Sequence, residues 1–209
     1  MLLEELSLTL QAGNCKKVKE LVNTAIEENI PVQDILEKGL IAGMEVIGNK
    51  FKNNEIYIPE VLIAARAMNQ ALEILKPLLK SSGVKEKGRA CVGTVQGDLH
   101  DIGKNLVKIM LESKGFEVFD LGTDVSPEAF VKAAVENDCS IIACSALLTT
   151  TIHVMGDVVK VVEAAGLKDK VRVMVGGAAV SESFREQIGA DVYTLDAASA
   201  ADAALAFVK

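Results

Sequence analysis

Apolar residues recur every three or four positions from Leu2 to about Ser82, whereas after Gly88 they gather in short runs between helical stretches. In the first region Leu36, Leu40, Met44 and Ile47 form one such series, and Leu62, Ala65, Met68, Leu72 and Leu75 another. That spacing predicts helices with one apolar face. Asn14 can cap a second helix, and Pro31 and Pro59 suit the first turns of a third and a fourth, where a proline gives up no helical hydrogen bond. Residues 1–82 are therefore expected to form a four-helix bundle. The stretch SSGVKEKG, Ser81 to Gly88, is polar, glycine-flanked and nonperiodic, which places a linker at 83–88.

From residue 89 to 209 the β-branched runs RACVGTV, FEVFDLG, SIIACSA, VRVMVGG and ADVYTL alternate with helical segments at about 102–115, 126–138, 152–166, 181–189 and 196 to the end. Repeated strand–helix alternation predicts an α/β domain, a doubly wound five-stranded parallel sheet with helices on both faces. In such sheets ligands bind beyond the carboxyl ends of the strands, near the point where the strand order reverses. Three clusters fall at strand ends: Gly97–Gly103, Ser145–Thr151 and Gly176–Gly177.

Composition narrows the function. Lys and Arg number 22 against 29 Asp and Glu, a net charge of −7 with no concentrated basic face, which argues against a nucleic-acid surface. No apolar run approaches the roughly 18 residues of a membrane span, and the acidic start MLLEELSLTLQAGNCKK is unlike a signal peptide, so a cytoplasmic protein is expected. Cys15, Cys91, Cys139 and Cys144 have no metal-like spacing and read as structural thiols in a reducing compartment.

The chain has two histidines, and His100 stands two residues after Asp98 within VQGDLHDIGKN. A carboxylate that accepts one ring N–H leaves the other nitrogen free as a metal ligand or a general base. The plain alternative is a loop histidine capping the helix that starts near Ile102. A lone histidine cannot complete a zinc site, so a metal bound here would bring its other ligands within a cofactor. Gly97 and Gly103 form no dinucleotide fingerprint, and there is no phosphate-binding Walker loop. Gly176 and Gly177 either turn the chain from strand to helix or let a ligand approach the backbone. His153 reads as a helix residue near the site.

Together Asp98-Leu99-His100-Asp101-Ile102-Gly103, Ser145-Ala146-Leu147 and Gly176-Gly177 resemble the D-x-H-x-x-G, S-x-L and G-G pattern of cobalamin-binding domains. GMEVIGNKFKNNEIYIPEVLIAARAM, Gly43 to Met68, is similar to the cap bundle that precedes this domain in methionine synthase and in small corrinoid proteins of methyltransferase systems. The resemblance covers essentially the whole chain. It implies a helical cap, residues 1–82, ahead of a Rossmann-like, flavodoxin-type domain, residues 89–209. It makes His100 the lower axial ligand of cobalt in cobalamin or a related corrinoid, with Asp98 on its other nitrogen and Thr151 continuing a hydroxyl relay. Gly97, Leu99, Asp101, Ile102, Gly103, Ser145, Leu147, Thr149, Gly176 and Gly177 would line the cofactor and the slot for its nucleotide tail. Phe51, Ile58, Val61 and Leu62 would lie over the methyl group, although from spacing alone they are ordinary bundle core.

The function implied is a methyl carrier. A substrate-specific methyltransferase would load the cobalt, and a second would pass the methyl group to tetrahydrofolate or a thiol while cobalt cycles between Co(I) and Co(III) in methylcobalamin chemistry. A reductive activase would restore oxidised cobalt. Two other classes share parts of this pattern. A cobalamin-dependent sensor would want a basic helix-turn-helix or a cap tryptophan, and this acidic chain has no tryptophan. The small subunit of an adenosylcobalamin mutase would not need the cap stretch.

Overall fold

In the computed structural model, which describes residues 1–82 and 86–208, the chain divides into two units, Met1–Lys85 and Glu86–Lys209. The expected linker, 83–88, falls partly on residues 83–85, outside the described residues; the first strand already begins at Gly88.

The first unit is helical. It contains α1 (Leu2–Gln11), α2 (Cys15–Glu27), α3 (Val32–Asp34), a π-helical segment Ile35–Ile41, α4 (Ala42–Lys52) and α5 (Ile58–Ser82). Asn14 caps α2 as expected, its side chain accepting from the Lys17 amide at 3.1 Å. Pro31 precedes α3 as its N-cap residue, one position earlier than expected, while Pro59 does lie in the first turn of α5. The π segment joins α3 and α4 into one rod and widens the turn there. Ile35, Gly39, Leu40 and Ile41 are consequently buried while Leu36 is only half-buried. A side chain at Gly39 would come within 2.6 Å of Leu6, so the glycine lets α1 pack closely.

The second unit is a sheet of β1 (Gly88–Thr94), β2 (Phe116–Asp120), β3 (Ile141–Ser145), β4 (Arg172–Gly176) and β5 (Val192–Tyr193). All neighbours are parallel and the order is β2-β1-β3-β4-β5. Between them run α6 (Ile102–Ser113), α7 (Pro127–Glu136), α8 (His153–Ala164) and α9 (Glu182–Ile188), with α10 (Ala197–Phe207) last. Helix α6 packs with α10, and α8 packs with both α7 and α9, which covers both faces of the sheet. The central strands are apolar nearly throughout, as parallel strands buried on two sides must be. Cys91 and Cys144 point into this interior, where burial pushes the Cys144 thiol pKa up, and all four cysteines are free.

The strand order reverses between β1 and β3, so their carboxyl ends form the switch point. Register aligns Thr94 with Ser145, and Ser145 with Gly176, in one row across three strand ends. No helix among the described residues is long and apolar enough to cross a membrane.

Candidate functional site

At that row of strand ends the loop after β1 turns sharply through Gly97, whose φ of 84° lies in the left-handed region that glycine enters without strain. The Gly97 amide donates to Asp124 Oδ1 at 2.8 Å, and the Asp124 amide donates back to the Asp98 carbonyl at 3.1 Å. This reciprocal pair ties the β1 loop to the loop that follows β2.

Asp98 is completely buried. Its Oδ1 accepts from the His100 amide at 3.1 Å and from His100 Nδ1 at 2.7 Å. Its Oδ2 accepts from the Leu147 amide at 2.8 Å, the Leu148 amide at 3.2 Å and the Thr151 hydroxyl at 3.0 Å. Burial by itself opposes the charged carboxylate, but these donors outweigh it and hold the Asp98 carboxyl well below the usual carboxylate range. An ionised Asp98 in turn fixes the His100 tautomer with its proton on Nδ1, leaving the Nε2 lone pair free. The His100 side chain is 52% exposed, so Nε2 is accessible to a ligand.

The capping alternative for His100 does not fit this geometry. Asp101, not His100, is the residue at the N-cap of α6, and no side chain caps that end. His153 stands exposed at the start of α8, and its side chain makes no hydrogen bond to the described residues, so it takes no part in the cluster. No group of three or more potential metal-ligating side chains exists among the described residues. A metal at His100 would need a cofactor to supply its remaining ligands.

The chain brings together several of the other expected residues. A Cβ at Gly103 would find its nearest neighbour in Ser145 Oγ at 3.8 Å, and one at Gly97 would meet Thr151 Cγ2 at 3.5 Å. Gly177, with φ of 132°, packs so closely that a Cβ would lie 1.9 Å from the Ala146 carbonyl oxygen. Its neighbour Gly176 is different: a Cβ there would come no nearer than 3.6 Å to any atom. Protein packing therefore demands glycine at 177, whereas at 103 and 176 the missing side chains leave room that a ligand could use.

Leu99, Ile102, Leu147 and Leu148 are exposed around this imidazole, Leu99 at 74%. Exposed apolar side chains on the same loops as one free nitrogen suit a large, mostly apolar, metal-bearing ring, and together with the open glycine positions they fit a corrinoid. Thr149 and Asp101 are exposed and outside the Asp98 network; Asp101 instead accepts from Asn105 at 3.1 Å. In the helical unit Val61 is fully buried, Phe51 is half-buried, and Ile58 and Leu62 are 37% and 46% exposed.

Thr94, Asp124, Leu148, Asp120 and Lys104 escaped the sequence reading. Thr94 is buried and donates its hydroxyl to the His100 carbonyl at 2.8 Å. Asp120, at the end of β2, accepts from buried Lys104 at 2.6 Å and from the Gly122 amide at 3.0 Å. Thr94, Asp124 and Leu148 act through bonds that involve backbone groups brought close only by the fold, Asp120 meets the side chains of Lys104 and Lys108 from another element, and Lys104 looks like any polar helix residue. The available signal was position: Thr94 and Asp120 both end strands at the ligand-binding edge.

Comparison with known proteins agrees with this geometry. Family models described as B12 binding domains match residues 2–76 and 88–206. The chain is 42% identical to dimethylamine corrinoid protein 3 of Methanosarcina acetivorans, over 90% of this chain and 88% of that one. It is 40% identical to the trimethylamine corrinoid protein of Methanosarcina barkeri, over 84% and 82%. Among solved structures it resembles a chain of the methanol:cobalamin methyltransferase complex of Methanosarcina barkeri, with a TM-score of 0.88, 31% identity and coverage of 99% and 79%. It also resembles a cobalamin-binding protein of Desulfitobacterium hafniense, with a TM-score of 0.82, 29% identity and coverage of 99% and 98%.

Proposed function

This chain belongs to the B12-binding corrinoid proteins of methyltransferase systems, and from that membership we propose that His100 is the lower ligand of cobalt in a methyl carrier served by two enzymes. A substrate-specific methyltransferase brings the methyl group, and a second, acting on tetrahydrofolate or a thiol, removes it. A reductive activase rescues oxidised cofactor. The chain works in the cytoplasm. Relatives that carry methylamine names and a neighbour from a methanol complex support the first partner class.

When bound, cobalt supplies the chemistry of accepting and releasing a methyl cation. The protein's own part is to present one nitrogen and to manage one proton. Asp98 holds Nδ1, so Nε2 points its lone pair away from the carboxylate. Whenever Nε2 is free it would be the ring's basic nitrogen, and the charge that a proton would bring there would be neutralised by the carboxylate already bonded to Nδ1. The Thr151 hydroxyl has two acceptors at 3.0 Å, Asp98 Oδ2 and the Leu148 carbonyl. Its single proton can therefore turn toward or away from Asp98 as the charge on the His–Asp pair changes. Ser145, Gly103 and Gly176 leave space beside β1 and β3 for the nucleotide tail. Residues 1–82 would act as the cap for the methyl group through Phe51, Ile58 and Leu62, whereas Val61, also expected there, is fully buried and packs within the bundle.

The observation that carries this reading is the buried carboxylate with five donors, one of them the ring of a half-exposed histidine. Substituting His100→Ala and loading with methylcobalamin tests it. The wild type should give the absorption spectrum of a nitrogen-ligated form and the variant that of a form without lower nitrogen. Identical nitrogen-ligated spectra would remove His100 from the coordination sphere.

A further inference from the structure

We propose that Thr94 is a positioning residue for the cobalt ligand, holding the backbone of His100 while Asp98 holds its ring; this inference rests on His100 being that ligand. Thr94 ends β1 and is completely buried, so a lone hydroxyl there needs an internal partner. The partner is the His100 carbonyl oxygen, six residues along the chain at 2.8 Å. Among the described residues this carbonyl has no other donor. The loop from Val95 to Asp101 is thus braced across its open side as well as at its base, where the Asp98 amide donates to the Val95 carbonyl at 3.1 Å.

The strut has a fixed footing. The Thr94 amide donates to the Gly122 carbonyl at 2.9 Å, and the Thr94 carbonyl accepts from the Val125 amide at 3.0 Å. Gly122 is itself held by Asp120, whose carboxylate is anchored on Lys104 and Lys108. Asp98 constrains how the imidazole rotates and also accepts from the His100 amide at 3.1 Å, but that bond holds only the N-terminal side of the residue, and a half-exposed ring could still rise or sink as its carbonyl side moves. The Thr94 hydroxyl restricts that height. A metal ligand held at the right height loses less freedom on binding, and groups behind a first ligand commonly change metal affinity. The hydroxyl touches no cofactor atom in this role and contributes nothing to the proton path.

Thr94→Val keeps the shape and removes the donor, whereas Thr94→Ser keeps the donor. Losing one neutral hydrogen bond behind the ligand should weaken imidazole binding to cobalt(II) about fivefold. The Co(II)/Co(I) midpoint potential reads this directly, because cobalt(I) releases its axial nitrogen. Stronger ligation of cobalt(II) therefore lowers the midpoint, and a fivefold weakening raises it by about 40 mV, at about 59 mV per tenfold for one electron. The experiment loads the full chain with cob(II)alamin and titrates wild type, Thr94→Val, Thr94→Ser and His100→Ala, with thermal melts confirming that each is folded. The proposal expects Thr94→Val to move upward by that amount, Thr94→Ser to stay near wild type, and His100→Ala to move further than either. A wild-type potential in Thr94→Val, or an equal shift in Thr94→Ser, with His100→Ala still displaced, overturns the role of Thr94 and leaves the ligand intact. A wild-type potential in His100→Ala overturns the ligand assignment and the Thr94 role with it.

Discussion

The helical unit and the sheet unit record their roles in different currencies of structure. At the carboxyl edge of the sheet, each polar site residue has an address: a named donor, acceptor and distance ties Asp98 to His100, Leu147, Leu148 and Thr151. In the helical unit the residues expected over the methyl group are apolar and make no directional bond. Phe51, Ile58 and Leu62 differ from bundle core only in how exposed they are, and Val61 does not differ from it at all. Hydrogen bonds are directional and costly to leave unmade, so a polar site is written into the structure even when empty of ligand. Dispersion and hydrophobic contacts are not directional, and an apolar surface takes its meaning from what covers it.

The largest effect that could break this comparison lies at adjacent glycines. Gly177→Ala places a methyl group against the Ala146 backbone at a φ that side chains avoid, so it should destabilise the sheet unit by about 4 kcal/mol or more. Gly176→Ala meets only ordinary contact distances, so it should change stability by less than about 1 kcal/mol while weakening cobalamin binding. Thermal melts and cofactor titration of the two variants separate packing from ligand space. Equal destabilisation would mean that both glycines serve the turn alone.

A second effect concerns the ion pair between buried Lys104 and partly exposed Asp120 at the end of β2. Asp120 would be disfavoured as an anion by burial, but the Lys104 ammonium, the Gly122 amide and Lys108 hold its carboxyl below the usual carboxylate range. A depressed folded-state pKa adds stability above the unfolded value, near 4, and loses it as pH falls through the folded value. Asp120→Asn leaves Lys104 buried beside an uncharged partner and, because Asp120 is partly solvated and Asn105 still accepts from Lys104, should cost about 1–2 kcal/mol at neutral pH. The gap between wild type and variant should then narrow below about pH 4. Melting curves from pH 7 to pH 2 check this, and a gap that widens in acid would reverse the sign.

The elements of the sheet unit could be read from the sequence to within about two residues at most ends, and in the helical unit Asn14 and Pro59 marked two helix starts, because stripes at period 3.6 and short β-branched runs leave few other ways to bury apolar surface. The π segment was not legible. Leu36, Leu40 and Met44 fit an ordinary helix on paper, and only the backbone of Ile35–Ile41 in the fold shows where the turn widens. The Asp98–His100 pair was visible because only Leu99 stands between them in the sequence. Thr94 and Asp124 were invisible, since their bonds to His100 and Gly97 depend on a tertiary fold that brings the end of β1 and the loop after β2 to the same place.

The smallest effect decides what the apolar residues of the helical unit do. Ile58 and Leu62 lie on the first turns of α5, partly exposed, while Val61 between them is fully buried. If Ile58 and Leu62 were core, Leu62→Ser would cost the 2 kcal/mol or more typical of deleting a buried side chain. If they instead face a ligand, each serine variant should stay within about 0.5 kcal/mol of wild type without cofactor, as surface substitutions do. Val61→Ala, at the buried position, should cost more than either and serves as the internal reference. The same serine variants, loaded with methylcobalamin, should photolyse faster than wild type, because a polar, smaller side chain lets water and oxygen reach the methyl–cobalt bond. Unchanged stability with faster photolysis assigns Ile58 and Leu62 to the cofactor, whereas lost stability with unchanged photolysis returns them to the bundle core.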